Sequence, residues 1–166
     1  MAQTISSFEE LSLEGLRDIY DAEQKVLAAF PEMIEAASSN ELKTAFREHR
    51  EQTQEQVKRL ETIFKKMGEE AKGKECPAAR GLIAEAKQHI KEVERGPLLD
   101  AALIGAAQRF EHYEISAYGT ARAFARRMGD EEAAKLLDTT LDEESQTDEK
   151  LNRIAEKVIN PKAARA

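Results

Sequence analysis

Tryptophan is absent from the 166 residues, and all aromatics together make up 5% of them. Little is left for stacking on sugars or bases. Cys76 is the single cysteine, which excludes an internal disulfide and a cysteine-rich zinc site and fits a reducing compartment. No apolar run reaches the roughly eighteen residues of a membrane span, and the opening MAQTISSFEE lacks the basic and apolar stretches of a secretory signal. A cytoplasmic protein with no membrane segment is expected. Positive charge is also short: 25 Lys+Arg against 32 Asp+Glu give a net charge of -7. That balance opposes binding to phosphate backbones despite the local cluster of Arg122, Arg126 and Arg127, so nucleic acid is not an expected partner. With four prolines, eight glycines and almost no runs of β-branched residues, the chain reads as all-helical.

What is abundant is Ala, Glu, Lys and Leu in helical periodicity. The pattern predicts one domain over residues 1–166, with helices at about 7–37, 40–67, 77–94, 97–128 and 131–159. Ser7 caps ahead of Glu9 and Glu10, Ser39 or Asn40 opens the second helix, and Gly68 closes it. The connection from Glu69 to Gly96 carries the short helix begun by Pro77 and is long enough to cross a bundle. Asn160-Pro161 is expected to stop the last helix.

The four long helices carry polar residues where their buried stripes require apolar ones. In the first, Glu23 sits centrally among Leu16, Ile19, Val26 and Phe30. The second has a polar waist of His49, Gln52, Thr53 and Gln56 between Phe46 and Val57. In the fourth long stretch of pattern, Glu144 and Asp148 share the stripe of Leu137, Leu141 and Leu151. The helix over 97–128 places Glu114 within about 20° of Leu103, Ala107 and Ala121, with Glu111 about 60° to one side. An ionised carboxylate buried without a partner costs several kcal/mol, so such acids must pair, hold protons or bind a cation.

Their heights agree. Short loops make each flanking pair of helices antiparallel. Glu23, sixteen residues before a turn at residue 39, should face about residue 55, between Gln52 and Gln56. Glu114 should likewise face about residue 145, between Glu144 and Asp148. Arg50, at an edge, is the one cation on these stripes at this height. Carboxylates with an amide or imidazole neighbour suit iron or manganese, and a bundle core can hold two ions bridged by carboxylates.

Over nearly its whole length the sequence resembles the YciE/YciF-like stress proteins, a branch of the ferritin-like fold. The resemblance is carried by DIYDAEQKVL, CPAARGLIAEA, DAALIGAAQRFEHYEISAYGTA and LLDTTLDEESQTDEKL. It implies a ferritin-like four-helix bundle with a long crossover connection bearing an extra short helix, a homodimer, and a site comparable to the di-iron centre of rubrerythrin. By that comparison Glu23 matches the acid of the first helix, Glu111 and Glu114 those of the third, and Glu144 that of the fourth. The chain departs from the di-iron pattern in having no Glu-x-x-His pair. Gln52 stands where relatives often have a second consecutive Glu, and an amide oxygen can coordinate but contributes no charge.

Taken together, the expected metal ligands are Glu23, Gln52, Gln56, Glu111, Glu114, Glu144 and Asp148, with His49 as a further candidate. His49 is read first as a core histidine a turn away from the best height. The expected cofactor is one or two iron ions, with manganese as an alternative. Such a centre would react with dioxygen or peroxide. The competing reading is a structural or interaction dimer whose site is vestigial or holds metal only for stability, and a mini-ferritin shell is a third.

Overall fold

The computed structural model describes residues 4–166. Five helices carry the fold: α1 (Phe8–Ala36), α2 (Asn40–Met67), α3 (Pro77–Glu92), α4 (Pro97–Arg127) and α5 (Glu131–Ile154). Ser7 opens α1 with a capping box, its hydroxyl accepting from the Glu10 amide at 3.0 Å while the Glu10 carboxylate accepts from the Ser7 amide at 3.3 Å. Gly68 ends α2 at φ 73°, in the left-handed region that favours glycine. At the tight α4–α5 turn, Gly129 has φ 77° and the Asp130 side chain accepts from the Ala133 amide.

The α1–α2 and α4–α5 hairpins pack as a four-helix bundle, and α3 lies against α1 and α4. The connection after α2 first runs back along α1, with the Lys74 amide donating to the Arg17 carbonyl. It then passes through α3 and delivers α4 beside the α1–α2 turn. There the buried Asp100 accepts from the amides of Ser38 and Ser39 at 2.7 and 2.9 Å. A side chain of α4 thus caps the start of α2 across the crossover.

Two apolar clusters divide the interior. One gathers Phe30, Phe46, Leu99, Leu103, Phe110 and Leu151; the other gathers Leu16, Ile19, Leu60, Phe64, Tyr118 and Leu137. The polar waist lies between them, so water is kept away from it at both ends of the bundle.

The C-terminus corrects the expected stop at Asn160-Pro161. After Ile154 the chain makes a π-helical turn (Ala155–Ile159) and continues as α6 (Asn160–Ala163). The Asn160 amide bonds to the Ala155 carbonyl. This widened turn places Pro161 in the first turn of α6, where a missing N–H costs little.

A second correction concerns the rotation of α5. Its buried side chains are Leu137, Thr140, Glu144, Thr147 and Leu151, so the buried stripe is turned toward the threonines and away from Leu141 and Asp148. Thr140 accepts from Arg59 Nη1 at 3.1 Å and Thr147 lies 3.3 Å from His49 Nδ1. Cross-helix partners make burial of these hydroxyls tolerable.

Candidate metal centre

Glu111 and Glu114 are three residues apart on α4, on the face turned toward the bundle interior. Together with His49 of α2 and Glu144 of α5 they offer four ligand atoms that all lie within 4.8 Å of one another, every one on a buried residue. His49 Nε2 is 3.0 Å from Glu111 Oε1 and 3.4 Å from Glu144 Oε2, yet makes an aligned hydrogen bond with neither. Its other nitrogen, Nδ1, has Thr147 Oγ1 at 3.3 Å and Gln52 Oε1 at 3.4 Å. A proton on Nδ1 serves those acceptors and leaves the Nε2 lone pair facing the carboxylates, the tautomer a metal-binding imidazole requires.

Glu23 completes the polar waist from α1. It is fully buried, and Tyr118, also fully buried, donates its hydroxyl to Glu23 Oε1. The set is short of partners. Glu23 Oε2, Glu111 Oε2, both oxygens of Glu114 and both of Glu144 have no hydrogen-bond partner among the described residues. Among the described residues no lysine or arginine pairs with any of these four acids; their ion-pair contacts are those of Glu111 and Glu144 with His49.

Burial sets the electrostatics. Desolvation, reinforced by the neighbouring Glu144 charge, pushes Glu23 up to about 8 against the Tyr118 hydrogen bond. Desolvation also pushes Glu111 up to about 8. Glu114 and Glu144 are driven well above the ordinary carboxylate range, burial being the largest cause in each. In the absence of a cation the cluster therefore holds protons at neutral pH. A bound cation reverses this logic by stabilising the charged forms.

The other expected ligands lie in an outer layer. Gln56 is fully buried; its Nε2 donates to Glu143 Oε2 at 3.1 Å and its Oε1 is left without a partner. Gln52 is half-buried beside His49 Nδ1, on the solvent side of the ring. Asp148 stands apart from the cluster. Its side chain is 22% exposed, accepting from Gln108 Nε2 at 3.0 Å and lying 3.3 Å from His112 Nε2. The turned stripe of α5 is the cause: Thr147 takes the inward position next to Glu144.

The sequence offers His49 only as a further candidate and gives no sign of two other features. His49 enters the cluster because the cluster spans two helical turns: Glu111 lies a turn from Glu114 along α4 and meets the imidazole there. Glu143 is held by a two-pronged Arg59 contact at 2.6 and 2.8 Å and in turn fixes Gln56. Tyr118 anchors Glu23 from the helix opposite it. The i,i+3 spacing of His49 and Gln52 is a legible signal for the first; the other two depend on which helices become neighbours.

A ferritin-like bundle with a buried cluster of carboxylates and one imidazole is the class that fold and site define. Residues 7–164 match the model of a domain of unknown function, DUF892, and the chain belongs to that family of YciF-like proteins. It is 39% identical over 160 residues to protein YciF of Escherichia coli K12, covering 96% of each chain. The crystal structure of that stress protein superposes with a TM-score of 0.90, covering 94% of this chain and 99% of the other at 38% identity. YcfI from Rhodopseudomonas palustris, to which only a provisional structural role is assigned, superposes with a TM-score of 0.89 at 43% identity, over 92% and 97% of the two chains.

Proposed function

We propose that the protein binds one or two iron ions, or manganese in their place, in the bundle core. His49, Glu111, Glu114 and Glu144 would be ligands, with Glu23 completing the set and Gln56 supplying an amide oxygen. One observation carries this reading: buried carboxylate oxygens and an imidazole nitrogen converge within 4.8 Å with no lysine or arginine among the described residues to neutralise them. Oxygen-rich donors with one nitrogen match iron and manganese better than zinc or copper. Bound iron would supply the electron chemistry for reaction with dioxygen or peroxide. The chain's own contribution is to hold the donors from four helices in place and exclude water with two apolar clusters. Tyr118 fixes the rotamer of Glu23, and Thr147 with Gln52 fixes the tautomer of His49. The family resemblance adds a homodimer to this reading, and the single cysteine fits a reducing, cytoplasmic setting; no helix among the described residues is long and apolar enough to cross a membrane.

Anaerobic titration of metal-free protein with Mn(II), followed by loss of the free-ion electron paramagnetic resonance signal, tests the site. Saturation at one or two ions per chain, abolished by Glu114→Ala in a variant of native helicity, is the expected result. A free-ion signal that does not diminish would overturn it.

A structural role is the second reading, favoured by the raised carboxyl groups, which satisfy the cluster with protons instead of metal. It predicts that iron raises the melting temperature at most, as any ligand of the folded state does, while dioxygen and peroxide consumption equal those of free iron.

A further inference from the structure

Two hollows meet at His49, and they differ in chemistry. One is a polar crevice between α2 and α5, bordered by Glu48, Gln52, Gln146, Lys150 and Arg153. The other lies beneath α3, where Phe30, Phe46, Leu82, Ile83 and Phe110 wall a cavity of about 30 Å³. The room has an identifiable origin. Ala45, Ala86, Ala106 and Ala107 line the same cavity, so helices α2, α3 and α4 present methyl groups to the phenyl rings where larger side chains would close the space. At its inner end stand His49 and Glu111. Glu111 is 3% exposed and its Oε2 has no partner.

Size and polarity together select the occupant. A volume of this order takes two or three water-sized atoms, too few for a sugar, a nucleotide or an acyl chain. A water or peroxide molecule needs several hydrogen bonds, and away from the His49–Glu111 end the walls offer hydrocarbon only. Ions and polar solutes have the separate crevice with its charged rim. An uncharged apolar molecule loses nothing in the alkyl and phenyl surroundings and is brought against the polar cluster.

We propose that the cavity under α3 is a binding site for a small uncharged apolar molecule of the size of dioxygen, held between the crossover helix and the Glu111–His49 end of the cluster. The significance of the occupant rests on the metal-centre reading, but the cavity itself does not. The α3 helix then has a task beyond bridging the bundle: Leu82 and Ile83 contribute apolar side chains to the wall of the cavity.

Xenon is the probe, used on crystals of metal-free protein so that the outcome is independent of whether iron binds. A xenon atom between Phe30, Leu82 and Phe110 is the expected result. In solution, dissolved dioxygen should then enhance relaxation of the Val26 and Leu151 methyl groups, which line the cavity and are as closed to solvent as the core, beyond that of Ile63 and Leu137, buried in the other apolar cluster. Ala86→Leu fills the space and should abolish both effects. Ordered water filling the cavity, no xenon there, or a xenon site retained in Ala86→Leu would overturn the proposal. Should Ala86→Leu not fold, xenon in the wild type decides alone. Xenon binding without metal binding would leave the cavity standing and refute the metal centre; the converse would do the opposite.

Discussion

Replacing Glu23 by glutamine should stabilise the metal-free protein and weaken its hold on metal. Glu23 ionises near 4.5 when exposed and at about 8 in the fold. Between those values the native state binds more protons than the unfolded chain, so its stability falls as pH rises from 4.5 to 8 and is greatest below that window. Each pH unit in the window costs up to about 1.4 kcal/mol for such a group. At pH 7 the wild type therefore gives up at most about 3 kcal/mol in keeping this one carboxyl protonated. Glutamine has no such cost, and its Oε1 can still accept from Tyr118. In a chain of this length about 3 kcal/mol corresponds to a rise of roughly 6–12 °C in melting temperature. Calorimetry of metal-free wild type and Glu23→Gln at pH 5 and pH 7 separates the cases: the gain should be large at pH 7 and small at pH 5. With iron or manganese present the order should invert, because the amide brings no charge to the ion. A loss of stability in the metal-free variant that is equal at both pH values would show that Glu23 is charged and paired, and would refute the reasoning.

Other perturbations follow from single contacts. His49→Ala should remove metal from the cluster, whereas Gln52→Ala, which only frees the far side of the ring, should weaken binding by about tenfold; titration calorimetry with Mn(II) ranks the two. Asp148→Ala should leave metal content unchanged and shift stability by no more than about 1 kcal/mol, since its partly exposed carboxylate stands apart from the cluster and meets only Gln108 and His112. Asp100→Ala should cost about 2–3 kcal/mol, seen in urea unfolding, because two amides at the start of α2 lose a buried charged acceptor.

Much of this arrangement is legible in the sequence because helix periodicity and short hairpin loops are local signals. Glu23, Glu111, Glu114 and Glu144 are visible as acids on apolar stripes, and the antiparallel pairing of hairpins brings them near one height. The parts that are not legible depend on contacts between distant helices. The rotation of α5 that buries Thr140 and Thr147 and puts Thr147 in the inward place expected for Asp148 goes with their cross-helix partners, Arg59 and His49. His49 looks like a core histidine one turn too far along until Glu111, rather than Glu114, is seen to be its partner. The extension past Pro161 depends on a π-helical turn, for which the sequence carries no simple mark. The capping contact of Asp100 depends on the crossover, which brings the start of α4 to the α1–α2 turn.

The most direct test of the central claim is elemental analysis of the protein purified from iron-replete cells, with Glu114→Ala purified alongside. The account predicts one or two equivalents of iron or manganese in the wild type and none in the variant, with native helicity in both. Wild-type protein that is equally folded, free of both metals and unable to take up either on anaerobic reconstitution would contradict it, and would leave protons as what neutralises the four buried acids.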